Sequence, residues 1–407
     1  MFFGFHHTIN KHERPFLRQP AIKQGLLALV AHKQLSHLAS TLFGLFLPIF
    51  LFEFFGYRLW APLLYGAAYY FLAFIFEPLG AKLMTKIGLK KSMMIGEILY
   101  LCFITSLLLK DFFPFWVAAI LSLFFYVSQH VVYWVPFHTA FAESAPRQKL
   151  GSVLGIMAAI TSVVGVVIPF LSAWIITLWG YNFLLFLAAV MAAFSLVPIF
   201  LVSTIEEKFE FGFSETFKIL FSKKERPLLV LYASEGAENA VGFLVWPLFI
   251  FLLVGGKYLE VGALATALVV VSVLLQILVG RLSDNWNPQK IFRWGAGLNS
   301  LGWLARMFVN TAAQVFFVGV FQSLAAILMN TPFEAIMYTR AADAGHFVDE
   351  YTVLREMALG FGRTIVLVAS AILVLVFGFP AAFFLAAAAT LIFGAAIKLQ
   401  LKKSFDF

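Results

Sequence analysis

Two carboxylate residues, Glu235 and Glu238, lie inside a long apolar run of the chain. Because they are three residues apart, they share one face of a helix, with Asn239 alongside. An ionisable side chain at bilayer depth costs at least a few kcal/mol, so such residues usually line a cavity or pair with another group. We therefore predict that these three residues bind a proton or a substrate cation. The alternative is a salt bridge or hydrogen bond that fixes helix packing.

Basic and polar residues in other apolar runs are further candidates for binding. Arg306 and Arg363 could neutralise a buried glutamate or hold an anionic substrate, because a guanidinium group binds carboxylates in a bidentate geometry. Gln129 and His130 form a polar pair in a third run, and His130 could relay protons because imidazole titrates near neutrality. A lone histidine in a helical bundle also commonly has a packing role. These side chains need long apolar elements to position them.

The composition indicates that those elements are membrane spans. The chain has 407 residues, of which 62% are hydrophobic and 12% are charged, whereas soluble proteins carry roughly a quarter charged residues. The mean hydropathy is +0.91. The apolar runs are continuous and do not alternate with period two, so we predict an all-α integral membrane protein. The net charge of +8 comes from basic residues in short loops, which indicates membrane topology rather than nucleic-acid binding.

Twelve spans are predicted, since a spanning helix needs about 20 apolar residues. They form two pseudo-symmetric six-helix bundles, 35–202 and 227–400. An amphipathic linker at 203–226 joins them, and the chain ends are a segment at 1–34 and a tail at 401–407. The predicted spans are 35–56, 60–84, 92–109, 114–138, 151–178, 181–202, 227–254, 260–282, 289–309, 312–338, 351–377 and 380–400.

The distribution of basic residues predicts the orientation of these spans. Lysine and arginine concentrate at both ends of the chain, in the linker and in alternate loops, whereas the other face has only Arg58, Lys110 and Lys257. Both termini and the linker are therefore predicted to be cytoplasmic. The expected location is the plasma membrane, and we see no removable signal peptide.

Two short basic hinges lie between apolar runs and are 200 residues apart (280 − 80). The same spacing recurs between 47–52 and 246–251, offset by 199, and between 136–138 and 332–334, offset by 196. Repeats in register indicate a duplicated bundle. The hinge residues are Gly80, Lys86, Gly88, Lys90 and Lys91 in the first copy, and Gly280 and Asp284 in the second.

These hinges resemble the loop signature of the major facilitator superfamily, Gly-x-x-x-Asp-Arg/Lys-x-Gly-Arg/Lys-Arg/Lys. The first copy has Thr85 at the acidic position, and the second keeps the first glycine and the acid but loses the later glycine. The resemblance implies a carrier in which two bundles rock around a central site lined by spans 1, 4, 7 and 10. It places Asp284 opposite the start of span 5.

The loss of the acid at Thr85 suggests a charge-swapped gate. Asp349 and Glu350 begin span 11, which the resemblance places opposite the first hinge, so we predict that they pair with Lys90 or Lys91. The alternative is that these are ordinary solvated loop charges that follow the positive-inside bias.

The function expected from this resemblance is secondary active transport of a small organic or amphipathic solute, coupled to protons, with export as one possible direction. The expected partners are the solute, the bilayer and a proton; no cofactor, metal or nucleic acid is expected, and the chain is expected to be a monomer. A membrane-embedded lipid-modifying enzyme is a second reading, but no nucleophile elbow, phosphate loop or metal-spaced cluster is found. A transport-inactive scaffold or sensor is a third reading.

Overall fold

The computed structural model describes residues 20–144, 150–202, 209–283, 287–343 and 348–401, and this part of the chain is helical throughout apart from its short connections. Its helices are α1 Pro20–Gly44, α2 Leu47–Phe54, α3 Trp60–Ile87, α4 Leu89–Leu108, α5 Phe115–Ser144, α6 Leu150–Ile199, α7 Phe213–Leu220, α8 Arg226–Ala240, α9 Trp246–Leu253, α10 Tyr258–Ser283, α11 Pro288–Arg306, α12 Ala312–Asp343, α13 Val348–Phe377 and α14 Phe379–Leu401.

Length and composition support twelve membrane spans. Among the described residues, nine helices are long and apolar enough to cross a bilayer, and a tenth span forms if the bent pair α1 and α2 counts as one. The apolar part of α6 has 43 residues, about 65 Å, which is twice the thickness of the hydrocarbon core. It divides at Gly180, whose φ of 76° is not helical, so α6 supplies two spans. The twelfth is α11, which is less apolar and packs between α12 and α14.

The spans form the predicted pair of six-helix bundles. In the first bundle α1 packs along α6, and α5 packs against α3 and α4. In the second bundle α8 packs against α13 and α14, while α12 packs against α10 and α11. The bundles meet along α3 with α13 and along α6 with α10. The fold class predicted from the sequence is therefore confirmed.

One proline interrupts the regular helix in the first span of each bundle. The first span starts earlier than predicted, at Pro20, and bends by 44° between α1 and α2, where Pro48 lies in the first turn of α2. The equivalent span of the second bundle contains a five-residue π-helical turn, Val241–Val245, directly before Pro247. A proline ring lacks the N–H of the regular helical ladder, so the preceding turn widens or breaks.

The first hinge depends on its glycines. Gly88 ends α3 and begins α4 with a φ of 82°, a backbone conformation that side chains disfavour. Gly80 lies where α3 crosses α5, and a Cβ there would overlap the carbonyl oxygen of Val131. Gly280 lies in the last turn of α10, whereas Asp284 is outside the described residues. Lys86 and Lys91 are exposed at the ends of α3 and α4.

Candidate functional site

Ionisable side chains of both bundles meet at the contact between α3 and α13. On the α3 side, Glu77 is only 1% exposed, and its Oε2 lies 3.8 Å from Nε2 of His130 in α5. The other imidazole nitrogen, Nδ1, lies 2.8 Å from the hydroxyl of Tyr69. Within the described residues, Oε1 of Glu77 is buried and accepts no hydrogen bond. This carboxyl group lies ten residues from the end of α3, about 15 Å along the helix, so it is well inside the membrane span.

The second bundle faces this pair with α13. Glu356 and Arg363 interact electrostatically with both Glu77 and His130. The guanidinium carbon of Arg363 lies 4.9 Å from the ring centroid of Tyr70 in α3, so this side chain contacts the other bundle directly. Acidic, basic and imidazole groups from two bundles therefore share one electrostatic environment at bilayer depth.

Glu235, a predicted site residue, belongs to this inter-bundle cluster. Its carboxyl group interacts electrostatically with Arg355, Arg363 and Glu356. Oε2 of Glu235 is buried and has no hydrogen-bond partner in the described part of the chain. Arg355 is paired with Glu356, with Nη1 at 3.1 Å from Oε1. We define the inter-bundle cluster as Glu77, His130, Glu235, Arg355, Glu356 and Arg363.

Glu238 has different surroundings, although it shares a helix face with Glu235. Its Oε1 accepts a hydrogen bond from the amide of Asn299 at 3.1 Å and another from the indole N–H of Trp303 at 2.9 Å. Gln322 in turn donates to the side-chain oxygen of Asn299. These partners lie on α11 and α12, so Glu238 joins helices within the second bundle.

Arg306 completes that network. Its guanidinium carbon lies 4.1 Å from the ring centroid of Trp246 and 4.0 Å from that of Trp303, and it interacts electrostatically with Glu238. The predicted residues thus separate into two places: Glu235, His130 and Arg363 lie between the bundles, while Glu238 and Arg306 lie within one bundle. Of the others, Gln129 is buried on α5 and Asn239 is exposed near the end of α8.

Sequence reasoning missed several charged members of the site. Glu77 and Glu97 lie inside apolar spans, so their depth was a signal that the sequence already contained. Arg355 and Glu356 come four and five residues after the predicted start of span 11, inside the predicted span. Lys33 was assigned to the N-terminal segment because the first helix was expected to begin later.

A second polar cluster, the α1–α5 cluster, lies in the first bundle and consists of Lys33, Ser36, Glu97, Trp134, His138 and Ser195. Oε1 of Glu97 accepts a hydrogen bond from Ser195 at 2.7 Å, and Oε2 accepts one from Ser36 at 3.2 Å. The ammonium of Lys33 lies 4.1 Å from the ring centroid of Trp134. The imidazole of His138 stacks on the same ring with a centroid distance of 5.6 Å.

The linker contacts both bundles at the face that carries the first hinge, here called the linker face. Thr85 Oγ1 accepts the backbone N–H of Phe209 at 3.0 Å, and Glu350 Oε1 accepts the backbone N–H of Glu210 at 3.1 Å. Two successive linker residues are thus bound by α3 in one bundle and by α13 in the other. In this conformation Lys90 donates to the carbonyl of Phe200 at 2.6 Å. The charge-swapped gate of Lys90 or Lys91 with Asp349 or Glu350 stays a prediction for another conformation.

The bundles also touch at the opposite face. The hydroxyl of Tyr258 donates to the carboxylate of Glu53, which joins α10 to α2. A Cβ at Gly262 would lie 2.7 Å from the carbonyl oxygen of Pro169, so α10 and α6 are in close contact there. Contacts between the two bundles therefore lie on both sides of the inter-bundle cluster.

Comparison with known proteins identifies the family. The model of the Major Facilitator Superfamily matches residues 35–256 and 228–404, which together cover most of the chain. The chain belongs to the major facilitator superfamily. No curated protein matches it.

Solved structures share the fold at low sequence identity. A POT family transporter in complex with 5-aminolevulinic acid has a TM-score of 0.68 at 12% identity, covering 92% of this chain and 95% of that one. The human organic anion transporter MFSD10 has a TM-score of 0.69 at 14% identity, and the match covers 93% of this chain and 100% of that one. A D-xylose-proton symporter has a TM-score of 0.69 at 12% identity, covering 93% and 97%. Membership of the superfamily indicates a multi-pass membrane transporter.

Proposed function

We propose that this member of the major facilitator superfamily is a proton-coupled secondary active transporter of a small organic solute. The observation that carries the proposal is the inter-bundle cluster, which mixes Glu77 and His130 of one bundle with Glu235, Glu356 and Arg363 of the other. Rocking of one bundle against the other separates these groups, so their charge state and the conformation of the protein are linked.

The two carboxyl groups with unpartnered buried oxygens are the proposed proton carriers. Glu77 and Glu235 each have one oxygen that accepts no hydrogen bond among the described residues, which leaves that atom available for a proton. Protonation removes a negative charge from the surroundings of Arg363, which interacts with both residues. The arginine then attracts a polar substrate group more strongly, so proton and solute binding favour each other.

Alternating access would use the contacts on the two faces. The Tyr258–Glu53 hydrogen bond closes one face, and the linker contacts of Thr85 and Glu350 join the bundles at the other. Opening either face requires one set to separate while the other holds. The excess of lysine and arginine on the linker face supports a cytoplasmic location for that face and for both termini in the plasma membrane.

Reconstitution into liposomes tests the proposal. A pH gradient is imposed, and solute-dependent proton movement is followed with a trapped pH-sensitive dye. The panel includes 5-aminolevulinic acid, D-xylose, dialanine and aromatic carboxylates, because the structural relatives bind or carry some of these classes. At least one solute is expected to accumulate and to move protons, and the gradient orientation that drives accumulation decides between uptake and export.

Variants locate the proton carrier. Glu235→Gln is expected to abolish gradient-driven accumulation while solute exchange persists, because exchange moves no net proton. Lys257→Gln is the matched control, since this lysine is exposed and paired locally with Glu260. If Glu235→Gln and Glu77→Gln both accumulate solute like the parent, the carboxyl groups are structural and the coupling proposal fails. Binding without flux by any panel member would instead favour a sensor.

A further inference from the structure

Lys33 is a charged residue whose surroundings are aromatic rather than acidic. Its ammonium lies 4.1 Å from the ring centroid of Trp134, 4.8 Å from that of Phe137 and 5.9 Å from that of Tyr133. All three rings belong to α5, whereas Lys33 belongs to α1. In the described part of the chain, no carboxylate oxygen lies within 4.0 Å of this ammonium.

The acid that interacts with Lys33 at longer range is already engaged. Both oxygens of Glu97 accept hydrogen bonds from serine hydroxyls of the first bundle, and the residue is only 1% exposed. A cation–π contact stabilises an ammonium group by less than the cost of removing that group from water. Glu97 and the aromatic rings therefore leave the Lys33 ammonium without a direct ion pair, and an external anion would supply one.

The residues around the Lys33 ammonium keep part of their surface exposed. Lys33, Trp134 and His138 are all partly exposed, although they lie within the spans. A charged side chain within a span faces a cavity or a protein interior rather than lipid. His138, which stacks on Trp134, interacts electrostatically with Lys33 and also with Arg355 and Glu356 of the other bundle. The α1–α5 cluster therefore lies close enough to the inter-bundle cluster for His138 to interact with charged groups of both bundles.

We propose that Lys33 and Trp134 form a subsite for the carboxylate of an aromatic organic anion. The carboxylate binds the Lys33 ammonium, and the planar part of the solute packs against the exposed part of Trp134, next to Lys33. An anion is favoured because Lys33 repels a cationic solute from the same position. This inference rests on the proposed function, since it assigns a substrate class to the space between the bundles.

Thermal unfolding of the purified full-length protein in detergent tests the charge preference. The probes are indole-3-acetate and 2-naphthoate, with indole-3-acetamide as the neutral analogue and tryptamine as the cationic one. A ligand that binds the folded state raises the apparent unfolding temperature as its concentration passes its Kd. The carboxylates are expected to raise the unfolding temperature at concentrations where the amide and the amine do not.

Variants then assign the preference to Lys33. Lys33→Met keeps the length of the side chain and is expected to weaken carboxylate binding at least tenfold, whereas Lys33→Arg retains it. Trp134→Leu is expected to weaken binding of the aromatic carboxylates more than that of acetate. Lys257→Met is the control for loss of one exposed lysine. Unchanged binding by Lys33→Met, equal stabilisation by tryptamine, or no stabilisation of the parent by either carboxylate overturns the inference.

Flux measurements separate this inference from the proposed function. Carboxylate-dependent stabilisation that needs Lys33, without any transport in liposomes, would support the subsite and reject the transporter. Proton-coupled flux of a neutral solute that is unaffected by Lys33→Met would support the transporter and reject the subsite. Failure of the subsite and failure of the transporter proposal therefore give different combinations of binding and flux.

Discussion

Truncation of Glu235 and truncation of Glu238, the two carboxylates of α8, are expected to impair different properties of the protein. In the structure Glu238 accepts hydrogen bonds from Asn299 and Trp303, whereas Oε2 of Glu235 accepts none from the described residues. Glu238→Ala therefore leaves two donors without their acceptor, and one of them belongs to Trp303, which is only 2% exposed. Glu235→Ala removes an oxygen, Oε2, that accepted no hydrogen bond, so no donor loses its acceptor there. Glu238→Ala should destabilise the protein, and Glu235→Ala should impair proton coupling.

The size of the stability difference follows from the number of hydrogen bonds. A hydrogen bond to a charged group contributes about 1.5–3 kcal/mol in soluble proteins. Hydrogen bonds between helices in a membrane average about 0.6 kcal/mol and reach about 1.7, because the unfolded helices also find partners there. Two such bonds give an expected loss of about 1–3 kcal/mol for Glu238→Ala. We expect a smaller loss for Glu235→Ala, because Oε2 of Glu235 accepts no hydrogen bond from the described residues.

Unfolding in mixed micelles with increasing denaturing detergent measures both free energies. Glu238→Gln is an informative third variant, because its amide oxygen can still accept from Asn299 and Trp303 while the charge beside Arg306 is lost. It is expected to keep most of the stability that Glu238→Ala loses. If Glu235→Ala and Glu238→Ala reduce the free energy of unfolding equally, the separation of the two carboxylates into different environments is wrong.

Three further predictions concern the bundle interface and the topology. Gly262→Ala places a Cβ against the carbonyl oxygen of Pro169, so we expect the face opposite the linker to open, with longer distances between spin labels on α6 and α10. Thr85→Val removes an acceptor of one linker N–H, so the linker should exchange its amide hydrogens faster, with a loss of about 1 kcal/mol of local stability. A cysteine at Lys257 should react with an impermeant reagent outside intact cells, whereas a cysteine at Lys218 should not.

Matched controls accompany these experiments. Gly297→Ala adds a Cβ where no atom lies within 4 Å, so it should leave the distances between α6 and α10 unchanged. Thr85→Ser keeps the accepting hydroxyl and should protect the linker like the parent. Labelling uses a Cys102→Ser background, because that residue is the single native cysteine. Equal effects of Gly262→Ala and Gly297→Ala, exchange unaltered by Thr85→Val, or the reverse labelling pattern would each contradict the corresponding prediction.

The sequence by itself determined the class of the protein and much of its architecture. Long apolar runs specify helices that cross a bilayer, because every backbone polar group there must be hydrogen-bonded within its own segment. This constraint is local, so the runs predicted twelve spans, and the repeated hinges predicted two bundles. The requirement for glycine at Gly88 could also be anticipated, since a sharp turn between two spans favours a positive φ.

The tertiary structure alone decided which ionisable residues meet. Glu235 and Glu238 share a helix face, yet one lies near Arg355 and Arg363 while the other is hydrogen-bonded by residues more than 60 positions away. Glu77 and Glu97 both lie inside apolar spans, but only Glu77 faces the other bundle. The hydropathy of the surrounding sequence indicates whether a residue lies inside a membrane span. The partner of a buried charge depends on how helices distant in sequence pack together, and this contact sets whether the charge stabilises one bundle or links two.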